Sequence, residues 1–371
     1  MDYAARLQSL RSGLEESDLD SLLVTHLPNV RYLCGFTGSA AALLVSGRSS
    51  ILFTDGRYRT QAKEELKGAN AGHASIVIAR KAPLIAAAEW LAARRRTLTA
   101  SFHPIRVGIE PESLTAAMRD RLAAVLKGKA RLRSSPPLVE RARMVKDAHE
   151  IERIRRAVEL GARLFSIACQ KIRPGVTEVA VAAAMEYEAR CAGAEGMSFP
   201  TILASGARSA MVHARASLAR IPRRGFVVCD FGVILAGYCS DRTRTVHVGW
   251  PSQEARQFYQ AVLEAQQAAI AAVRPGVTAA QVDAAARRVL RQKKLARYFT
   301  HSTGHGLGLE IHESPRLAAG QARKLEPGMV VTIEPGAYVP GKRGVRIEDV
   351  VVVTASGCEV LAPTDKDLIV I

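Results

Sequence analysis

A repeated order of short segments constrains the fold of this chain more than any other feature of its sequence. The pentapeptide RPGVT occupies residues 173–177 and again residues 274–278, and an Ala-rich helical segment precedes and follows each copy. Further along, RGFVVCD at 224–230 resembles PGMVVTIE at 327–334. Several matches in one order, at a spacing of about 100 residues, predict two related α/β halves that face each other across a pseudo-twofold axis.

Five candidate metal ligands lie in these two halves: Asp230, Asp241, His305, Glu334 and Glu348. The four acids lie within or beside runs of β-branched residues, where an isolated charge is costly to bury. Four carboxylates in one core repel each other unless cations lie among them, and an oxygen-rich set with one nitrogen suits a pair of divalent metals. Because two adjacent metals activate water for hydrolysis, this set predicts a hydrolytic enzyme.

The spacing of the acids predicts two hairpins. Asp230 and Asp241 are separated by a short segment with two glycines, and a hairpin with a short turn would place them side by side. Glu334 and Glu348 flank a longer segment rich in Pro and Gly, which predicts a second, longer hairpin. Two facing hairpins would bring the four carboxylates into one cavity.

Two further histidines are related by the repeat. Ser205-Gly206 leads to His213 in the first half, and Thr303-Gly304 leads to His312 in the second. Histidines placed symmetrically about a metal pair are suited to orient a substrate carbonyl or to stabilise an oxyanion. The remaining histidines have no such setting, and we expect them to be structural or surface residues: His26, His73, His103, His149, His247 and His301.

The first 135 or so residues alternate strand and helix signals, which predicts a separate α/β domain. The polar segment Ala130–Pro137 (ARLRSSPP) is expected to be a linker, and it divides the chain into domains 1–137 and 138–371. Helices are predicted at Arg57–Leu66, at Pro83–Ala93 and from Asp147 onward. Strands are predicted at Leu22–Thr25, Ala41–Val45, Ser50–Thr54, Ser75–Ala79 and Arg106–Ile109.

Composition limits the alternatives. The N-terminal residues lack the layout of a signal peptide and no apolar run is long enough to span a membrane, so we expect a cytoplasmic protein. The six scattered cysteines are expected to be buried reduced thiols. The net charge of +17 is compatible with an acidic partner, but few aromatic residues interleave with the basic ones, which disfavours nucleic acid. The densest basic clusters are Arg94–Arg96 and a predicted solvated helix face with Arg287, Arg288, Arg291, Lys293 and Lys294.

Four ordered motifs then carry a family resemblance: DFG…GYCSDRTRT, TGHGLGLEIHE, TIEPGAY and GVRIEDVV. Over residues 145–371 the chain resembles the pita-bread metallopeptidases, which include methionine aminopeptidases, Xaa-Pro aminopeptidases, prolidases and creatinase. NVRYLCGFTGSAAALLV and LFTDGRYRTQA resemble the creatinase-type N-terminal domain, which methionine aminopeptidases lack. Creatinase lacks the metal ligands that are complete here. The resemblance therefore implies an α/β (α+β) fold with a creatinase-like N-terminal domain and a pita-bread catalytic domain, and an Xaa-Pro peptidase.

The resemblance also implies roles for residues. Asp230 would bind the first of two divalent metals, Asp241 and Glu348 would bridge both, and His305 and Glu334 would complete the second. Mn is the expected metal, and Co, Zn or Fe would also accept these ligands. His213 and His312 would contact the substrate, while Arg346 and Thr243 would support the metal ligands.

The expected activity is hydrolysis of the bond before proline by a metal-bridging hydroxide, with Glu334 transferring a proton to the leaving nitrogen. Arg316, four residues after His312, is a candidate clamp for the C-terminal carboxylate of a dipeptide. Dipeptidase and aminopeptidase actions both stay open, and relatives with this N-terminal domain commonly form homodimers. The alternative function is a catalytically weak scaffold that binds nucleic acid or another acidic partner through its basic surface.

Overall fold

The computed structural model describes residues 1–68, 74–93 and 105–371. The chain divides into two compact units, Met1–Arg143 and Met144–Ile371. The expected linker is wrong in its first part: residues Ala130–Ser134 form an edge strand that pairs in parallel with Ile105–Ile109. Its alternating polar residues are those of a half-exposed edge strand, which composition alone does not distinguish from a linker.

The N-terminal unit is a six-stranded sheet with helices. Its helices are α1 Tyr3–Glu16, α2 Leu27–Cys34, α3 Arg59–Gly68, α4 Pro83–Ala93, α5 Ala116–Val125 and α6 Leu138–Met144, whose last residue begins the second unit. Its strands are β1 Ser21–Val24, β2 Ala41–Ser46, β3 Ser50–Asp55, β4 Ala74–Ala79, β5 Ile105–Ile109 and β6 Ala130–Ser134, in the order β4-β3-β2-β1-β5-β6. The five predicted strands and the helix at Pro83–Ala93 are confirmed, with strand ends within one residue.

The two halves of the second unit share one plan: a helix pair, then a strand, a small hairpin and a returning strand. The helices are α7 Ala148–Lys171, α8 Glu178–Cys191, α9 Gln253–Ala272 and α10 Ala279–Gln292. The strands of the first half are β7 Gly196–Met197, β8 Ile202–Ser205, β9 Gly225–Phe231, β10 Val233–Leu235, β11 Tyr238–Cys239 and β12 Arg242–Val248. Those of the second half are β13 Gly304–Gly306, β14 Glu313–Leu317, β15 Val330–Ile333, β16 Gly336–Val339, β17 Arg343–Arg346, β18 Asp349–Val353 and β19 Cys358–Val360.

The two RPGVT segments make equivalent turns. Each contains a glycine with positive φ, 84° at Gly175 and 80° at Gly276, a conformation that glycine adopts without steric cost. Gly175 N donates to the carbonyl of Ile221, and Gly276 N donates to the carbonyl of Leu325. In both halves the turn thus anchors the segment that leads into β9, which contains Asp230, or into β15, which Glu334 directly follows.

The helix starts follow their sequence signals. Asp147 caps α7 with a capping box to Glu150, and Thr278 caps α10 with a capping box to Gln281. Among the described residues, none of the helices combines the length and apolarity that crossing a membrane requires.

Two antiparallel strand pairs position the acids. In β9–β12 Asp230 is paired with Thr243, and in β15–β18 Ile333 is paired with Asp349. The predicted hairpins are therefore present, but the short turn expected between Asp230 and Asp241 is itself a small hairpin, β10–β11. The hairpin β16–β17 takes the same place in the second half.

Candidate metal centre

Three carboxylates converge at the ends of these strands. Asp230 lies in β9, Asp241 directly precedes β12 and Glu348 directly precedes β18. One oxygen of each lies within 4.8 Å of the others, and all three residues are buried. The first half thus contributes two carboxylates, and the second half contributes the third.

His305 and Glu334 adjoin this cluster. Nε2 of His305 lies 3.5 Å from Oδ2 of Asp241 and 3.5 Å from Oε1 of Glu334. Nδ1 of His305 lies 2.9 Å from the carbonyl oxygen of Gly306, which makes Nδ1 the protonated nitrogen. With Nδ1 bonded to that carbonyl, Nε2 is the ring nitrogen that faces the carboxylates and is left to bind a metal.

The electrostatics of the cluster fit divalent cations. Oδ1 of Asp241 and Oε1 of Glu348 are buried and have no hydrogen-bond partner among the described residues. Burial first, and then the neighbouring carboxylates, raise the pKa of Asp241 and of Glu348 well above their ordinary values. Burial also raises the pKa of Glu334. Cations among these groups would satisfy the unpartnered oxygens and reverse the repulsion, and the oxygen-rich donor set suits Mn, Co, Zn or Fe.

Arg346 and Thr243 hold the cluster from behind. Arg346 is 2% exposed and bonds through Nη2 to Oδ2 of Asp230. Its Nε donates to Oγ1 of Thr243 over 3.2 Å, and that hydroxyl donates to Oε2 of Glu348 over 2.7 Å. The arginine thus contacts Asp230 directly and reaches Glu348 through the threonine.

A cavity of about 720 Å³ opens onto the cluster. His213, His312 and Arg316 line it together with four of the five candidate ligands, whereas Glu348 and Thr243 lie deeper. The His312 ring centroid is 4.4 Å from that of His305, and Arg316 is paired with His305 across β13–β14. The structure therefore brings every predicted site residue to this cavity or directly behind it.

His301 also lines the cavity, although it was expected to be a structural or surface residue. Its Nε2 lies 3.0 Å from the Tyr338 hydroxyl, which accepts a 2.6 Å bond from Nη1 of Arg346. Burial, then the charge of Arg346, lowers the pKa of His301 to about 3, so the ring is neutral and accepts the tyrosine proton. The repeat did not single out His301, because the equivalent position in the first half is Leu203 and not a second histidine.

Other expectations are corrected outside the cavity. Arg287 is not part of a solvated face: it pairs with Asp283 at 2.7 Å and donates to the carbonyls of Phe299 and His301. The six cysteines are free, but Cys191 is exposed, and Cys169 and Cys358 are only partly buried. Arg94–Arg96, His73 and His103 lie outside the described residues.

Two family models match the chain. The Creatinase/Prolidase N-terminal domain matches residues 6–145, and Metallopeptidase family M24 matches residues 152–355.

Known proteins are similar over the whole length. The uncharacterized peptidase YqhT of Bacillus subtilis (strain 168) is 39% identical over 367 residues, which cover 99% of this chain and 100% of the relative. The solved structure of an Xaa-Pro dipeptidase from Bacillus anthracis superposes with a TM-score of 0.92 at 37% identity, covering 100% of both chains. That of an X-Pro aminopeptidase from Thermotoga maritima MSB8 superposes with a TM-score of 0.86 at 34% identity, covering 98% of this chain and 99% of that one.

The family resemblance and the fold class are thereby confirmed. The N-terminal unit is the creatinase-type domain, and the second unit has the pita-bread fold with its two related halves. The chain belongs to metallopeptidase family M24, and it is a metallopeptidase.

Proposed function

We propose that this protein hydrolyses the peptide bond before proline with a pair of divalent metals. The observation that carries the proposal is the pair of buried, unpartnered oxygens on Asp241 and Glu348 within a cluster of carboxylates and one imidazole. The similar structures from Bacillus anthracis and Thermotoga maritima, whose names specify Xaa-Pro or X-Pro substrates, support the substrate class.

The ligand assignment follows from which oxygens are free. Among the described residues, Asp241 and Glu348 are the acids that keep a buried unpartnered oxygen, and they would be the two shared by both metals. Asp230, already bonded to Arg346, is assigned to one metal, and His305 with Glu334 to the other. When bound, such a metal pair supplies an activated water and polarises a carbonyl group.

The protein's own residues orient the substrate and move protons. Glu334 lines the cavity beside His305, where its carboxylate is placed to take a proton from the attacking water and to pass it to the leaving nitrogen. Burial, then the nearby His305 and His213, lowers the pKa of His312. A neutral His312 donates a hydrogen bond to the substrate carbonyl without adding charge beside the metals.

Two features of the cavity bear on which substrate binds: the wall that would contact the proline ring and the arginine that would bind its carboxylate. The proline nitrogen carries no proton in the peptide, so it must gain one on leaving, and the apolar side chains of Phe199 and Ile202 on the cavity wall are suited to its ring. Arg316, placed opposite His305, is suited to bind the free carboxylate of a dipeptide. We therefore propose Xaa-Pro dipeptides as the preferred substrates. We further propose Mn as the metal, a homodimer as the assembly and the cytoplasm as the location.

The test is a cleavage panel with Ala-Pro, Gly-Pro, Ala-Pro-Ala and Ala-Ala on chelator-treated protein with Mn restored. We expect cleavage of the two Xaa-Pro dipeptides, abolished in Asp241→Ala and in Glu348→Ala. Glu188→Ala removes an exposed carboxylate of the same unit and should leave the activity unchanged. Activity retained in both ligand variants would refute the metal assignment. Cleavage of the tripeptide alone would show that the protein is an aminopeptidase and not a dipeptidase.

A further inference from the structure

A second cavity of about 510 Å³ lies in the same unit, and it shares no lining residue with the metal cavity. No acid lines it in the part of the chain that the structure describes. Its charged lining residues are all basic: Arg208, Arg220, Arg224, Lys342 and Arg343.

Most of this positive charge is uncompensated. Arg208 pairs with Glu178 at 3.1 Å, and Arg343 pairs with the exposed Glu254. Among the described residues, the other three cations of the cavity form no ion pair. Like charges held around one cavity repel each other, so an anion bound there would relieve the repulsion.

A buried polar side chain also faces this cavity. His247 is 3% exposed, and its Nδ1 lies 2.8 Å from the carbonyl oxygen of Gly249. Its ring lines the cavity and packs edge-on against Phe226. Because Nδ1 donates to that carbonyl, Nε2 is the ring nitrogen left to bond a ligand in the cavity.

The N-terminus of α9 adds to the positive potential. Ser252 caps this 20-residue helix by accepting a hydrogen bond from Ala255 N, and both residues line the cavity. The partial positive charge of a helix N-terminus favours anions.

We propose that this cavity binds a small molecule that carries a phosphate group. Guanidinium groups bind phosphate oxygens in bidentate geometry, and four of the five cations are arginines. The volume is that of a small-molecule site. A singly protonated phosphate donates its hydrogen to Nε2 of His247 while its other oxygens accept from the arginines.

The same elements connect the cavity to the metal centre. Arg343 begins β17, and Arg346 ends it. Gly344 N donates to Oγ of Ser209 over 2.8 Å, and Arg208 lies in the same short 3-10 helix, which precedes His213. A ligand that orders Arg208 and Arg343 therefore acts on the strand that holds Arg346. This coupling rests on the proposed function, whereas binding itself does not.

The test measures binding of inorganic phosphate and of sulfate by calorimetry, on the full chain with and without its metals. We expect Arg224→Gln and Lys342→Gln each to weaken phosphate binding by about tenfold, as the loss of a charge-assisted hydrogen bond does. Arg288→Gln removes an exposed charge that lines neither cavity and should change the affinity less than about twofold.

Three results would overturn the proposal: no binding of either anion, equal affinity in all three variants, or binding that requires the metals and ignores the cavity substitutions. The last would place the anion at the metal centre. Both substituted side chains are exposed, so unchanged thermal unfolding should show that the variants are folded. Sulfate binds divalent metals weakly, so sulfate binding reports on the basic cavity and not on removal of the metals. The binding measurement does not depend on peptidase activity, so a failed peptidase assay would leave its result valid.

Discussion

Replacing Thr243 by valine tests how the protein positions the bridging carboxylate. Thr243 is fully buried, and its hydroxyl accepts from Nε of Arg346 and donates to Oε2 of Glu348. Valine keeps the β-branched shape but removes both bonds to charged groups. Each such bond contributes about 1.5–3 kcal/mol, and Glu348 is then left with two buried unpartnered oxygens. We expect the free energy of unfolding of the metal-free protein to fall by about 3 kcal/mol.

Thr245→Val is the matched control. Thr245 lies two residues along the same strand and is equally enclosed, and its hydroxyl also makes two hydrogen bonds, to the backbone N and O of Arg346. Two bonds between neutral groups contribute about 1–3 kcal/mol together, so this variant is also destabilised. It leaves the bond to Glu348 in place, and the affinity for Mn should therefore be unchanged.

The discriminating measurement is the affinity for Mn, by calorimetric titration of chelator-treated protein. Loss of a group that orients a metal ligand weakens binding by about 10–100-fold, which we expect for Thr243→Val alone. Urea unfolding with chelator present gives the stabilities of both variants. If both variants, or neither, lose affinity for Mn, the hydroxyl of Thr243 does not position Glu348 and the reasoning is wrong.

Three further outcomes follow from the geometry. In the metal-free protein the pKa values of Asp241 and Glu348 are raised above 3.8 and 4.5, so the stability they contribute is present below those values and is lost as pH rises through the raised pKa. The urea midpoint should thus fall toward neutral pH with chelator present, less so in Asp241→Asn, and Mn should reverse the trend. Arg316→Gln should raise KM for Ala-Pro by about tenfold with little change in kcat, and an equal loss in Arg288→Gln would contradict the clamp. Asp283→Ala removes the acceptor of Thr303 N and Oγ1 and should destabilise the unit by about 2–4 kcal/mol in urea, whereas Asp365→Ala, at an exposed acid, should not.

The acids of the candidate metal centre were predictable because the sequence shows that their charges would be buried, which is energetically costly. Asp230 and Glu348 lie among β-branched residues that fold into buried strands, and a charge in such a place needs a compensating partner. The repeat also predicted which strands pair, because two related halves are expected to contain related hairpins. The roles assigned to the individual ligands stay predictions.

The unpredicted features depend on contacts between segments far apart in the chain. His301 acquires its setting from Tyr338, and Arg287 is held by the carbonyl groups of the segment before β13. Neither contact leaves a periodic pattern in the sequence. Ala130–Ser134 was mistaken for a linker because an edge strand buries too little to need an apolar pattern.

The repeat also explains why the site needs metals and why its two sides differ. Two equivalent hairpins each deliver a pair of acids to one place, so symmetry alone builds a repulsive cluster that protons or cations must neutralise. Among the five candidate ligands the nitrogen comes from the second half only, because position 305 is histidine whereas its equivalent in the first half, residue 207, is alanine. A histidine in place of Ala207 would not supply a metal ligand from the first half, because Ala207 lines the basic cavity and not the metal cavity. The difference between the halves therefore lies in the backbone before β9, a short 3-10 helix where the second half has strand β13, as well as in the side chains.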